Sequence, residues 1–372
     1  MAIYLRISLL IAGLPLALAA QSDKLDAYMR EQMSKQSIPG AQVTVLKNGK
    51  VLAERSYGVA SVELGSPVTP KTVFPIASAT KTLTGTAVMS LIEQGKFSLD
   101  DDVKKLLPEI PDAWSGVLVR QLLGHTSGLP DVIVNPITGT WLGDTRDDAM
   151  KKLAGMPMQA KPGETWSYNQ TNYMLLGMLV EKYSGMSFDD FIMQKIAKPL
   201  MLSSATYGDS RVVVPNRGSW YSIIDFSSGR PKRAKSAYPT WVTYPGFIHT
   251  AAGLNMTSLD LARFADAVAG GRILKQPSVD QMWTAVKLND GTTFRMEKTL
   301  GVGLGWIVDD IPGHRAVGGT GGSTVAFRHF RDDNITVVVM TNLQGIDPDA
   351  MVDSIAALYI PALKTAASLP GS

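Results

Sequence analysis

The tetrapeptide Ser78-Ala79-Thr80-Lys81 places a hydroxyl and an amine three residues apart, and it is the only Ser-x-x-Lys in the chain. Residues at this spacing lie on one face of an α-helix, so the amine can reach the hydroxyl. Burial and the positive end of a helix dipole both disfavour an ammonium, which leaves a neutral amine able to accept the proton of a serine nucleophile. The pattern therefore predicts acyl-transfer chemistry, although chance alone produces this spacing in a chain of 372 residues.

Other hydrolytic constellations are missing from the sequence, which contains no Gly-x-Ser-x-Gly and no His-Glu-x-x-His. The four histidines lack the spacing of metal ligands, and each is interpreted as a structural residue: His125, His249, His314 and His329. The chain has no cysteine, which excludes disulfides, thiolate metal sites and a cysteine nucleophile. We expect no metal and no cofactor. A net charge of +3 gives no reason to expect a nucleic-acid partner.

Hydrophobic periodicity predicts the elements that position Ser78. Apolar residues at positions 83, 87, 88, 91 and 92 share one face of a helix that starts at Ser78 and that Gly95 can end. Upstream, an apolar stripe predicts a helix over residues 24–33. Two strand-like runs, 41–46 and 51–54, flank Asn48-Gly49, and both of these residues tolerate the positive φ of a type I′ hairpin turn.

The rest of the chain is helical in the middle and strand-rich at its end. The pattern predicts helices at 149–153, 172–183 and 349–359, and strands at 303–308, 324–330 and 335–341. The Gly/Pro/Ser-rich stretch 203–247 is interpreted as an irregular loop that shapes a substrate cleft. Strands at both ends predict an α/β (α+β) fold: an antiparallel sheet from both chain ends, flanked by helices, with an inserted mainly helical subdomain. We place the sheet lobe at about 21–77 and 250–372, and the helical lobe at about 78–249.

The first twenty residues are typical of a signal peptide, with one early Arg, an apolar run and Ala17-Leu18-Ala19 at a cleavage position. We expect cleavage to leave the hydrolase domain at 21–372, exported to the periplasm or secreted. The apolar run is too short to predict a stable membrane span after cleavage. Nothing in the sequence predicts an oligomeric state.

Three further segments follow Ser78 in order: Leu122-Leu123-Gly124-His125-Thr126-Ser127-Gly128-Leu129-Pro130, then Pro162-Gly163-Glu164-Thr165-Trp166-Ser167-Tyr168-Asn169-Gln170-Thr171-Asn172-Tyr173, then Val317-Gly318-Gly319-Thr320-Gly321-Gly322. Together with Ser78 and Lys81 they resemble the β-lactamase-related serine hydrolases, which include class C β-lactamases, D,D-peptidases and family VIII-type esterases. The resemblance covers nearly the whole chain after the signal peptide. It implies the β-lactamase/transpeptidase-like fold.

The resemblance also implies roles for individual residues. Ser78 is the expected acylated nucleophile, Lys81 its base partner, and Tyr168 the phenol of the Tyr-x-Asn motif that passes a proton to the leaving group. The backbone N–H groups of Ser78 and Gly322 are the expected oxyanion hole. Three more residues are expected to bind substrate: Gln170, Thr320 and Gly321.

Two positions depart from the family pattern. The Asn that ends Tyr-x-Asn is Gln170, and the Lys or His that opens the third motif is Gly319. A cation at position 319 would pair with the carboxylate of a β-lactam or of a D-Ala terminus. Arg315 and His314 stand nearby as possible replacements, but solvated loop charges are the favoured interpretation of both.

Three hypotheses follow from these residues. The first is acyl-enzyme hydrolysis of a small ester or amide, including a D-amino-acid amide, because Gly319 offers no cation. The second keeps the mechanism but takes β-lactams or cell-wall peptides as substrates, as a D,D-carboxypeptidase or D-aminopeptidase does. The third is a catalytically inactive binding or scaffold protein, against which the intact Ser78, Lys81 and Tyr168 argue.

Overall fold

The computed structural model describes residues 8–135, 140–225 and 231–363. Within these ranges the α-helices are α1 Ser8–Gln36, α2 Thr80–Glu93, α3 Val103–Leu106, α4 Val119–Leu123, α5 Arg146–Ala154, α6 Gln170–Ser184, α7 Phe188–Phe191, α8 Ser258–Ala269, α9 Gln276–Met282 and α10 Pro348–Tyr359. Short 3₁₀ turns lie at Ala77–Ala79, Asp112–Trp114 and Gly246–Ile248, and a π-helical turn lies at Ile192–Ala197.

The strands in the described ranges are β1 Gly40–Lys47, β2 Lys50–Ser61, β3 Ser66–Pro67, β4 Phe74–Pro75, β5 Ile133–Asn135, β6 Thr140–Trp141, β7 Thr206–Tyr207, β8 Tyr221–Asp225, β9 Lys232–Pro239, β10 Leu254–Met256, β11 Leu300–Val302, β12 Ile307–Asp309, β13 Ala316–Gly321, β14 Val325–Phe330, β15 Ile335–Thr341 and β16 Leu343–Gln344. The predicted helices at 149–153, 172–183 and 349–359 lie within α5, α6 and α10. The predicted strands at 324–330 and 335–341 correspond to β14 and β15.

An eight-stranded antiparallel sheet is the centre of the molecule, in the order β11-β12-β13-β14-β15-β1-β2-β3. Strand β1 pairs with β2 on one side and with β15 on the other, so that Val43 lies between Arg55 and Val339. The two ends of the chain therefore build one sheet, as predicted. The β1–β2 turn has φ of 51° at Asn48 and 73° at Gly49, which confirms the predicted hairpin.

Side chains alternate between two cores on the two faces of this sheet. On β15, Val337 and Val339 pack into the core under α1 and α10, whereas Val338 and Met340 pack into the larger core with the remaining helices. The apolar stripe predicted at 24–33 is part of α1, where Leu25 is fully buried in the first core. Both faces of the sheet are therefore covered.

Helix α2 lies inside the larger core, and most of its residues are buried. It packs against α6 and against β13, and Gly95, at φ 71°, follows its last turn. The helix predicted from Ser78 is present, with one difference. Ser78 itself stands in the 3₁₀ turn just before α2, because Ala77 adopts a φ of 45° and bends the chain there.

Two predicted elements are wrong. Residues 303–306 of the predicted strand at 303–308 form the turn between β11 and β12, where Gly305 adopts a φ of 83°. The stretch 203–247 is not wholly irregular, since β8 and β9 form a hairpin and β8 also pairs with β16. Strand β8 is only five residues long and β9 consists mostly of polar residues, so periodicity alone did not identify them.

Residues 1–7 of the predicted signal peptide lie outside the described residues. The described backbone is helical from Ser8 into the hydrolase domain. None of the described helices combines the length and the apolar character needed to cross a bilayer. The signal peptide and the division into two lobes stay predictions.

Candidate active site

Ser78 is presented to a cavity by the strained turn that precedes α2. Its Oγ accepts a hydrogen bond of 2.8 Å from the Tyr168 hydroxyl, and the Lys81 Nζ lies 3.4 Å from the same atom. The second distance is longer than an ideal N–H···O hydrogen bond, so Lys81 is within reach of Ser78 without being tightly bound to it. The structure thus brings together the three residues that the sequence analysis assigned to chemistry.

Lys81 is buried, with 5% of its surface exposed. Its Nζ donates to the carbonyl oxygen of Ala251 at 3.1 Å. The same nitrogen lies 4.7 Å from the ring centre of Tyr168 and 5.2 Å from that of Tyr173. The Ser78 hydroxyl, a carbonyl oxygen and two aromatic rings therefore contact this amine, and the Asp131 carboxylate interacts with it over a longer distance.

Tyr168 stands just before α6 in an extended segment, and Asn169 caps that helix by accepting a hydrogen bond from the Asn172 N–H. The neighbouring residues are bound to His125, whose carbonyl accepts the Ser167 N–H at 2.9 Å and whose Nδ1 accepts the Asn169 N–H at 3.1 Å. Sequence reasoning treated His125 as purely structural. The structure places it in the cavity wall beside Tyr168.

The cavity has a volume of about 630 Å³, which suits a small organic substrate. Thr320, Gly321 and Gly322 line it together with Ser78, as the third motif predicts. Gln170 does not line the cavity. It is buried at the start of α6, where its backbone N–H donates to Asp131 Oδ1. The predicted substrate contact of Gln170 therefore has no support in the structure.

The stretch 203–247 was predicted to shape the cleft, but none of its described residues, 203–225 and 231–247, is among those that line this cavity. Two other segments do so instead, and sequence reasoning assigned no role to either. One contains Met296 and the β11–β12 turn with Trp306, and the other runs from Gln344 to Asp349 before and into α10. Much of this wall is apolar: Met296, Val302, Trp306, Ile307 and Ile346.

Close packing around position 319 explains why a glycine stands there. A methyl group placed on Gly319 would lie 2.9 Å from Thr82 Cγ2 and 3.0 Å from Phe327 Cε1, closer than carbon atoms normally approach. A methyl group on Gly321 would lie 2.1 Å from the Ile76 carbonyl oxygen and 2.9 Å from the Ser78 nitrogen. Glycine at both positions allows β13 to pack directly against α2 and the Ser78 turn.

None of the described residues that line the cavity replaces the missing cation. Lys81 is the one basic side chain other than His125 among the described lining residues, whereas Asp347 and Asp349 line the cavity near α10. Arg315 pairs with Asp332 at 2.6 Å and His314 pairs with Asp333 at 2.9 Å, and neither reaches the cavity. Both residues lie in the loop before β13, where each is paired with an acidic side chain.

Burial sets the protonation of His125. Removal from water, reinforced by the nearby Lys81, lowers the pKa of His125 well below its usual range. The imidazole is therefore neutral at pH 7. Burial also raises the pKa of the Tyr173 phenol, which stays protonated and donates to the Leu123 carbonyl at 3.2 Å. Both groups surround the reacting atoms without adding charge.

Comparisons with known proteins bear on the family and on the fold. The family model described as Beta-lactamase matches residues 25–360. Protein flp of Staphylococcus aureus is 29% identical over 234 residues, which are 61% of this chain and 46% of that protein. The chain thus spans about half the length of this curated relative.

Two solved structures have the same fold. The octameric penicillin-binding protein homologue from Pyrococcus abyssi superposes with a TM-score of 0.75 at 28% identity, covering 91% of this chain and 77% of that chain. D-amino acid amidase from Ochrobactrum anthropi SV3, complexed with D-phenylalanine, gives a TM-score of 0.77 at 20% identity, covering 93% and 99%. The predicted β-lactamase/transpeptidase-like fold is confirmed.

Proposed function

The chain belongs to the beta-lactamase family, whose members are serine hydrolases, and we propose that it cleaves a small ester or amide through an acyl-enzyme on Ser78. The observation that supports this proposal most directly is the convergence of two proton-transfer groups on one hydroxyl. Tyr168 Oη lies 2.8 Å and Lys81 Nζ lies 3.4 Å from Ser78 Oγ. Such an arrangement activates a serine for attack on a carbonyl carbon.

In the proposed reaction, the Ser78 oxygen attacks the substrate carbonyl while its proton passes to the Tyr168–Lys81 pair. The negative oxygen of the tetrahedral intermediate is bound by the backbone N–H groups of Ser78 and Gly322. Collapse of the intermediate breaks the bond to the leaving alcohol or amine, which takes up the proton from Tyr168. A water molecule then attacks the acyl group, releases the acid and restores the Ser78 hydroxyl.

Charge in the cavity favours substrates that have no carboxylate beside the scissile bond. A charge-assisted hydrogen bond to a carboxylate is typically worth about 1.5–3 kcal/mol, and Gly319 cannot provide one. Asp347 lines the α10 end of the cavity and adds repulsion, whereas Asp349 beside it is paired with Arg328. The apolar wall around Met296 and Trp306 suits an apolar acyl group.

A fluorophosphonate probe and three substrates test the proposal: p-nitrophenyl butyrate, D-phenylalanine amide and nitrocefin. We expect the probe to label the wild type but not Ser78→Ala. Ser90→Ala is the control and is expected to label like the wild type, because Ser90 lies on α2 and bonds the Ala87 carbonyl away from Ser78. We expect turnover of the ester or the amide to exceed that of nitrocefin.

Two outcomes would contradict the proposal. Fast nitrocefin turnover without ester or amide cleavage would make the protein a β-lactamase. Absence of labelling in the folded wild type, together with absence of turnover, would make it a catalytically inactive binding protein.

A further inference from the structure

His125 makes hydrogen bonds to both chain neighbours of Tyr168. Its carbonyl oxygen accepts the Ser167 N–H at 2.9 Å, and its Nδ1 accepts the Asn169 N–H at 3.1 Å. The imidazole also lies against the phenol between them, with 4.6 Å between the ring centres of His125 and Tyr168. One residue therefore contacts Tyr168 and both of its neighbours.

The backbone of His125 is held in an uncommon conformation to make these contacts. Its φ is 60°, in the left-handed region that is uncommon for residues other than glycine. The residue is nearly fully buried, and its ring also packs against Tyr173 at 5.1 Å and Trp166 at 6.1 Å. Strained, buried backbone at a cavity wall persists only where the surrounding structure holds it, and such positions cluster at active sites.

The groups that face the imidazole explain why it can serve as an acceptor. Lys81, Tyr168 and Tyr173 are the titratable side chains around it in the described structure. Burial keeps the ring neutral, so its proton lies on Nε2 and its Nδ1 lone pair is available to the Asn169 N–H. A protonated ring would lose that hydrogen bond, because its Nδ1 would become a donor.

We propose that His125 is a positioning residue that holds the Tyr168 hydroxyl against Ser78 Oγ. The inference rests on the proposed function, because it assigns His125 an effect only through the proton transfer by Tyr168. His125 does not bond Ser78. Displacement of a catalytic group by about 1 Å can cost about 100-fold in rate, so loss of these contacts is expected to lower kcat and leave KM nearly unchanged.

Two substitutions at position 125 distinguish the effect of the imidazole from that of the strained backbone. Glycine and asparagine both tolerate a φ of 60°, so neither adds strain. His125→Gly removes the ring and the acceptor, and we expect kcat to fall by about 10–100-fold. His125→Asn keeps an acceptor close to the position of Nδ1, and we expect it to regain at least a few-fold of that loss.

His329→Asn is the matched control, because His329 is also buried, bonds Thr336 Oγ1 and lies outside the cavity. We expect it to keep the wild-type kcat even where it lowers the melting temperature. Thermal unfolding of every variant shows which of them are folded at the assay temperature. If His125→Gly does not fold, the kcat of His125→Asn is compared with that of the wild type to test the inference.

The decisive measurement repeats the His125 substitutions in a Tyr168→Phe background. If His125 acts through the Tyr168 hydroxyl, the second substitution is expected to cost less than about twofold there. An undiminished loss in that background, or a wild-type kcat in both folded His125 variants, would overturn the inference. Failure of the proposed function would be recognised separately, because the wild type would then neither react with the fluorophosphonate probe nor turn over substrate.

Discussion

The hydroxyl of Tyr168 lies 2.8 Å from Oγ of Ser78, although the two residues are 90 positions apart in the chain. Ser78 reaches this point from the turn before α2, and Tyr168 reaches it from the segment before α6. The packing of α2 against α6 therefore sets the distance. Substitutions of Tyr168, before α6, and of Lys81, on α2, test the contribution of each side chain separately.

Removal of the Tyr168 hydroxyl isolates proton transfer from ring packing. Tyr168→Phe keeps the ring against His125 and Lys81, and we expect kcat to fall by about 10²–10⁴-fold with little change in KM. Steady-state hydrolysis of p-nitrophenyl butyrate measures both constants. Tyr183→Phe, whose ring packs on Phe97 away from the cavity, is the control that keeps the wild-type rate. An unchanged kcat in Tyr168→Phe would exclude Tyr168 from proton transfer.

Lys81 is expected to contribute through its amine. Lys81→Met keeps the length of the side chain without a basic group, and we expect the rate of Ser78 acylation to fall by about 10²–10⁴-fold. Stopped-flow labelling with a fluorophosphonate measures that step directly. Lys96→Met alters an exposed lysine shortly after α2 and is expected to label at the wild-type rate. Equal rates in the two variants would contradict a base role for Lys81.

A cation can be reintroduced at position 319 only if space is made for it. We expect Gly319→Lys to destabilise the fold by about 1–3 kcal/mol, because its Cβ would overlap Thr82 Cγ2. Adding Thr82→Ser removes that methyl group and keeps the hydroxyl that bonds the Ala79 carbonyl at 2.7 Å. Urea unfolding is expected to show partial recovery in the double variant.

The same double variant tests the substrate preference. An ammonium at position 319 is expected to raise kcat/KM for nitrocefin by about 10–100-fold, the equivalent of a charge-assisted hydrogen bond to its carboxylate. Gly319→Met with Thr82→Ser has the same bulk without the charge and serves as its partner. If both double variants hydrolyse nitrocefin equally, the missing cation does not determine the preference.

His329 is expected to make stability depend on pH. Burial, with a smaller effect of Arg331, lowers the pKa of His329 to about 4, whereas an unfolded histidine titrates near 6.5. Between these values the unfolded chain binds a proton that the folded protein does not. The stability is therefore complete above about pH 6.5 and falls as the pH drops toward 4, by about 3 kcal/mol from this group.

Urea unfolding at pH 7.5 and at pH 4.5 measures this dependence. We expect His329→Asn to lose about 2–3 kcal/mol less than the wild type between the two values, because it removes the titrating group. Comparing each variant with itself at the two pH values cancels the cost of the substitution. Parallel losses in the two proteins would show that His329 does not account for the acid sensitivity.

The sequence by itself determined the features that depend on neighbouring residues. Ser78 and Lys81 meet because three residues make one turn of helix, and Asn48-Gly49 turns because both residues accept a positive φ. Strand-like runs on either side of the turn residues 332–334 identified β14 and β15, and the order of the motifs identified the family. These features are local, or they repeat a known pattern.

The tertiary structure alone decided how distant segments meet. Gly303 and Gly305 lie in a turn where a strand was predicted. This turn and the residues before α10 line the cavity, a role that was predicted for the stretch 203–247. His125 is a lone histidine in the sequence, and only the folded chain brings its carbonyl and its Nδ1 to the two neighbours of Tyr168. Such contacts depend on packing between segments far apart in the chain, which the preferences of neighbouring residues do not specify.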